Sequence, residues 1–220
     1  MLTQDASPGR RGGAGMLLSG AAAVILMGII TAEALYPPGY STHGNEISDL
    51  GATRPPDSVI HQPSAAIFDG TMLLGGALIV AAALLLRRYV PGRAVPAWLG
   101  LFGSSVFLVG LFPGNTAPHP LVATATFLCA GVAALVTARS QAAPARWVST
   151  ALGTVTLASM ALGYLLLDWG PVAELGDGGI ERWIAYPAVL GLAVFGGTLM
   201  SAGTARPATT GAERAGIAAG

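Results

Sequence analysis

GMLLSGAAAVILMGIITAEALY, residues Gly15–Tyr36, decides the class of fold. Over these 22 residues there is one charge, Glu33, near the far end. A helix of that length rises about 33 Å, enough to cross a hydrocarbon core of about 30 Å. Arg10 and Arg11 ahead of the run and Ala32-Glu33-Ala34 near its end imitate a cleaved signal peptide. The run is longer than most signal h-regions and more apolar runs follow, so it is read as a retained span.

Directly after it comes a polar stretch, residues 36–69, YPPGYSTHGNEISDLGATRPPDSVIHQPSAAIFD. It holds His43 and His61, two of the three histidines, together with Glu46, Asp49, Asp57 and Asp69. Pro37-Pro38-Gly39 ends the first span, and Leu50-Gly51 and Pro55-Pro56 restrict the backbone further. Tyr36, Tyr40, Ile47, Leu50, Val59 and Ile60 give the stretch apolar anchors that a flexible linker lacks. It is therefore predicted to be an ordered cap, with a short helix around Asn45–Leu50.

Continuing outward, five further apolar runs are predicted as spans, at about 67–86, 95–112, 121–137, 147–167 and 183–202. The turns between them are marked by Pro91-Gly92, Pro113-Gly114-Asn115, the linker SQAAPAR and the second polar loop DWGPVAELGDGGIER. Residues 1–14 and 203–220 lack apolar runs and are expected to be disordered cytoplasmic tails around a membrane domain of residues 15–202. Composition agrees: 53% of residues are hydrophobic and 10% charged, against about 25% charged in soluble domains. The predicted fold class is all-α, a polytopic membrane protein with six transmembrane helices and an ordered extracytoplasmic loop cap.

All eleven cations are arginine, and the net charge is zero, which argues against a nucleic-acid surface. With the N-terminus inside, nine arginines fall in cytoplasmic segments and only Arg54 and Arg182 outside. That asymmetry predicts a multi-pass protein of the cell membrane with both termini cytoplasmic. Trp98 and Trp147 then mark inner span ends, and Trp169 and Trp183 outer ones. The single Cys129 supports neither a disulfide framework nor a multi-cysteine metal site.

In this orientation His43, His61 and His119 all map to one side, as do Glu46, Asp49, Asp57, Glu174 and Asp177. Glu33, Asp69 and Asp168 lie at the outer ends of spans 1, 2 and 5. A carboxylate in hydrocarbon costs about 2.5–3.5 kcal/mol, so such groups usually turn inward and find a partner. Arg182 is the nearest cation by topology, with Asp168 its expected partner and Asp69 the next choice; the bland alternative leaves these groups solvated at the interface. Candidate acid-base residues are Asp49, His61, His119 and Asp168, and candidate binding residues are Arg182, Glu33, Asp69, His43 and Ser48. The histidine spacing matches no zinc motif and no G-x-S-x-G elbow exists, so no metal and no cofactor is assigned. Small-xxx-small pairs at Gly100/Ser104, Ser159/Gly163 and Ala193/Gly197 are expected to face the bundle interior and to offer helix–helix contacts.

PPGYSTHGNEISDLGA after the first span, GLFPGNTAPHP after the third and GDGGIERW before the sixth together resemble a prokaryotic six-helix membrane family known as domain of unknown function 998. The resemblance spans about Gly15–Ala202 and implies six membrane helices, but no established catalytic residues. ISDLG followed by Pro-Pro is more loosely similar to the Frag1/DRAM/Sfk1 family, which implies a lipid-facing role with membrane lipids as partners. Three functions stay open: a non-catalytic lipid-facing membrane component, an enzyme acting on a lipid or lipid-linked headgroup, and a small-solute transporter. The transporter reading lacks the usual charge or broken helix at mid-membrane.

Overall fold

The computed structural model describes residues 8–88, 92–166 and 170–204. Its elements are α1 (Pro8–Ala34), a 3₁₀ helix (Ile47–Leu50), α2 (Ser64–Leu86), α3 (Ala94–Leu111), α4 (His119–Ala138), α5 (Ala145–Leu165), the short α6 (Gly170–Ala173) and α7 (Gly176–Thr204). No strand occurs among the described residues. All the helices except α6 and the 3₁₀ helix are long and apolar enough to cross a bilayer, so the chain is an all-α multi-pass membrane protein.

Proline sets several helix ends. α1 stops before Pro37-Pro38, and α3 stops just before Pro113 because the residue ahead of a proline is driven out of helical geometry. Pro120 sits in the first turn of α4, where its missing N–H costs nothing. The four middle helices match the predicted spans to within three residues at either end. The outer two correct the sequence reading. α1 begins at Pro8, inside the expected tail, because its first turns lie beside the end of α7, where Ala14 is fully buried. α7 begins at Gly176, a stretch read as loop, because the cap supplies partners for its polar first turns.

The long helices form a closed ring in which α1 packs on α2, α2 on α3, α3 on α4, α4 on α5, α5 on α7 and α7 on α1, with α4 also touching α7 across the middle. Lipid offers no hydrophobic drive between helices, so contact depends on close packing of small residues. The seams are not all where sequence pairs place them. A methyl on Gly103 would lie 2.8 Å from the Val80 nitrogen and 2.9 Å from the Gly76 carbonyl oxygen, and one on Gly15 would lie 2.6 Å from the Gly196 oxygen. Gly163 does face inward, against Ile180, and a methyl on Gly100 would meet the Ala83 Cβ at 3.9 Å, but Gly197 has open space beside it and Ser104 is exposed. In a chain with 31 glycines, sequence spacing alone does not say which face meets a neighbour.

At one end of the bundle the helix ends carry Arg10, Arg11, Arg87, Arg88, Arg93, Arg139 and Arg146. There the α4–α5 turn is fastened by a buried pair: Gln141 Nε2 donates to Ser149 Oγ at 3.0 Å. The other end is covered by the segment between α1 and α2.

Candidate functional site

The covering segment is an ordered cap held by the 3₁₀ helix. Ile47, Ser48 and Leu50 are buried, Leu50 completely. The Asp49 carboxylate accepts from the Glu46 backbone N–H at 3.1 Å and from Asn45 Nδ2 at 3.2 Å, fixing the turn that starts this helix. On the α2 side, Ser64 Oγ donates to the Leu50 carbonyl at 3.3 Å. The expected ordered loop with a short helix near Asn45–Leu50 is thus observed as Ile47–Leu50.

α7 grips the cap from the other side. The Ile47 N–H donates to Glu181 Oε2, and the Gly178 N–H donates to the His43 carbonyl at 2.9 Å. Arg182 Nη1 donates to the carbonyls of Gly178 (2.8 Å), Asn45 (3.0 Å) and Thr42 (3.1 Å). Its Nη2 donates to the Tyr40 hydroxyl at 2.7 Å and pairs with Glu33 Oε1, at the end of α1. Tyr40 OH in turn donates to the Glu46 carbonyl at 3.2 Å. Burial pushes the Tyr40 hydroxyl well above its ordinary pKa, so it remains a donor. One guanidinium therefore ties α1, the cap and α7 together.

This geometry corrects the expected pairing. Arg182 is matched by Glu33 because α1 and α7 pack along their length, which brings the end of one beside the start of the other. Asp168 lies outside the described residues, as does Trp169. Asp69 does not bond Arg182: its Oδ1 is buried beside Gly51 and has no hydrogen-bond partner among the described residues. Both Nη atoms of Arg182 are engaged by protein groups, its buried Nε has no hydrogen-bond partner among the described residues, and it lines neither chamber described below.

The three histidines go to three places. His43 is exposed, its ring against Gly176, whose φ of +67° makes the turn into α7. His61 packs edge-on against Tyr36 at 4.8 Å between centroids, and Tyr36 stacks on Tyr40 at 4.9 Å. His119 is buried at the start of α4 with Nδ1 2.7 Å from the Phe112 carbonyl. A carbonyl can only accept, so Nδ1 carries a proton, which leaves Nε2 as the ring nitrogen able to accept. No cluster of histidine, cysteine and acidic groups able to hold a metal occurs among the described residues.

Beneath the cap lie two neighbouring hollows. The inner one, about 70 Å³, is lined mainly by apolar side chains of α1, α2, α3, α4 and α7, including Ile25, Met72, Phe102, Val106, Phe127 and Val189. The outer one, about 430 Å³, opens between α4, α5, α7 and the cap and is bordered by Glu46, Arg54, Thr124, Tyr164, Asp177 and Ile184. Ser48, His119, Ala123, Phe127 and Glu181 line both. Glu46 is paired with Arg54 through Nη2 at 2.6 Å from Oε2, and Ser48 Oγ donates weakly to the same Oε2 at 3.4 Å. Thr124 Oγ1 and Tyr164 OH share a hydrogen bond at 2.8 Å that joins α4 to α5 across the outer hollow.

Of the candidates read from sequence, the site unites Ser48 and His119 at the chambers and Glu33 and Arg182 in the clamp. Asp49 serves the cap turn, and His43, His61 and Asp69 lie elsewhere. Glu181 was missed, although a Glu-Arg pair opening an apolar run was the available signal. Glu46, Arg54 and Tyr164 could not have been placed without the fold.

The three motifs quoted from the sequence converge here. The first forms the cap, the second brings Gly114 against the Ala52 carbonyl and places His119, and the third supplies Gly178, Glu181 and Arg182. Methyl groups on Gly114 or Gly178 would collide with the cap backbone. No curated protein and no solved structure matches the chain. The family described as Protein of unknown function (DUF998) matches residues 20–198, which contain the cap, both chambers and the Glu33–Arg182 clamp, and the chain belongs to that family.

Proposed function

We propose that the protein binds an amphipathic membrane molecule, a lipid or lipid-linked compound, under the cap. The observation that carries this reading is an apolar inner hollow lying against a more polar outer one, with five lining residues common to both. The apolar part of the ligand fills the inner hollow, and the polar head lies among Glu46, Arg54, His119, Asp177 and Glu181. With Glu46 matched by Arg54 and Glu181 accepting from the Ile47 N–H, the polar lining favours a hydroxyl-rich head over a phosphate. We assign the arginine-rich end to the cytoplasm, where arginine is retained, and on that assignment the cap faces the extracytoplasmic side.

The test is to fill the chambers. Ala123→Trp adds bulk where the two hollows meet, and lipids retained by the purified protein are identified by mass spectrometry of gentle-detergent extracts. Wild-type protein should carry a defined lipid species that Ala123→Trp lacks while remaining folded. Identical lipid profiles for the two proteins would refute the reading.

A second reading, an enzyme acting on that head, rests on His119 alone, a buried imidazole with a fixed proton and a free Nε2 that lines both chambers. Under it, His119→Gln should keep the bound lipid and lose turnover. Turnover unchanged in that variant would remove His119 from the chemistry.

A further inference from the structure

At the end of the bundle away from the cap, α1 begins beside the point where α2 stops. Arg10 from the first turn of α1 and Arg87 and Arg88 from just beyond α2 line one open hollow of about 600 Å³ together with Leu84 and Leu85. Leu84 and Leu85 are 55% and 37% exposed. The hollow is basic on one part and apolar on the other, and among the described residues no carboxylate lines it.

We propose that this hollow binds an anionic phospholipid, with its phosphate held by the three guanidinium groups and its acyl chains lying over Leu84 and Leu85. Guanidinium suits the task because its planar fork meets phosphate oxygens two at a time. Height in the bilayer fits as well. Leu84-Leu85-Leu86 are the last residues of a 23-residue apolar helix and Arg87 follows at once, so the hollow lies where hydrocarbon gives way to headgroups. A soluble phosphate would use the arginines but leave the leucines unexplained, which favours the lipid as the source of the anion. Nothing in this site depends on what occupies the capped end.

The experiment uses the full chain in detergent micelles, titrated with dioleoyl phosphatidylglycerol or dioleoyl phosphatidylcholine and read by native mass spectrometry. Wild-type protein should retain phosphatidylglycerol in preference to phosphatidylcholine. Each basic residue near a headgroup contributes roughly fivefold, so Arg87→Gln with Arg88→Gln should weaken phosphatidylglycerol binding by roughly 25-fold. Arg139→Gln, at the same end of the bundle but outside the hollow, should leave it unchanged. Should the double variant fail to fold, Arg10→Gln gives the same reading at roughly fivefold. Equal retention of the two lipids, equal losses in Arg139→Gln and the hollow variants, or displacement of the lipid by millimolar inorganic phosphate would each overturn the proposal.

Discussion

Replacing Arg182 by alanine should be among the most damaging single changes in this protein. Its side chain is 11% exposed and that of its partner Glu33 19%, so the pair is largely shielded from solvent. Charge-assisted hydrogen bonds are worth about 1.5–3 kcal/mol each, yet those of Arg182 do not sum, because the carbonyls of Thr42, Asn45 and Gly178 can recruit water when the cap loosens. The larger effect is the Glu33 carboxylate left in a half-dry site without its cation, which typically costs about 3–5 kcal/mol. Arg182→Ala is therefore expected to lose about 3–5 kcal/mol, and Glu33→Gln, which keeps the shape but removes the charge, about 1–3 kcal/mol. In the double variant no buried charge is stranded, so the two losses should fall short of additivity by about 1–3 kcal/mol. Unfolding in mixed micelles titrated with a denaturing detergent gives all four corners of the cycle. A coupling below about 0.5 kcal/mol, the ordinary scatter of independent sites, would refute the clamp.

Three further outcomes follow from the same geometry. Gly103→Ala should cost about 1–3 kcal/mol because its methyl would press on the Val80 nitrogen and Gly76 oxygen, whereas Gly197→Ala, with open space, should stay within about 0.5 kcal/mol; equal unfolding midpoints for both variants would reject the assigned seams. Burial pushes the Glu46 carboxyl above its ordinary value, with Arg54 opposing and Asp49 and Asp177 adding. A raised folded-state pKa means that stability is present below the unfolded value of about 4.3 and lost as pH rises through the folded one, so the melting advantage of Glu46→Gln over wild type should grow from pH 4 to pH 8. An advantage that shrinks over that range contradicts the burial of Glu46. Reporter fusions within residues 87–96 and 170–179 should report opposite sides of the membrane, and a common side for both would break the six-span topology.

Period and composition were enough to fix the class of fold, because a bilayer leaves an apolar run of about 20 residues with one satisfactory structure, the helix. Pro37-Pro38, Pro113 and Pro120 set boundaries by local chemistry, and Tyr40, Ile47 and Leu50 announced an ordered cap by supplying it with anchors. Where local chemistry was silent, the sequence misled. Glycine-rich residues 9–13 and 176–179 read as tail and loop, yet both are helical: the first continues a helix that packs on α7 from Ala14 and Gly15 onward, and the second is held by the cap, which outweighs its weak propensity. Partners were the least legible feature. Asp168 stands 14 positions before Arg182 and looked like its match, whereas Glu33 is 149 positions away and bonds it, because the ring of helices closes α7 onto α1. Sequence separation says nothing about which helix faces which, and in a chain so rich in small residues several rings could pack. Only the tertiary structure selects the one that brings Ser48, His119 and Glu181 around one pair of chambers.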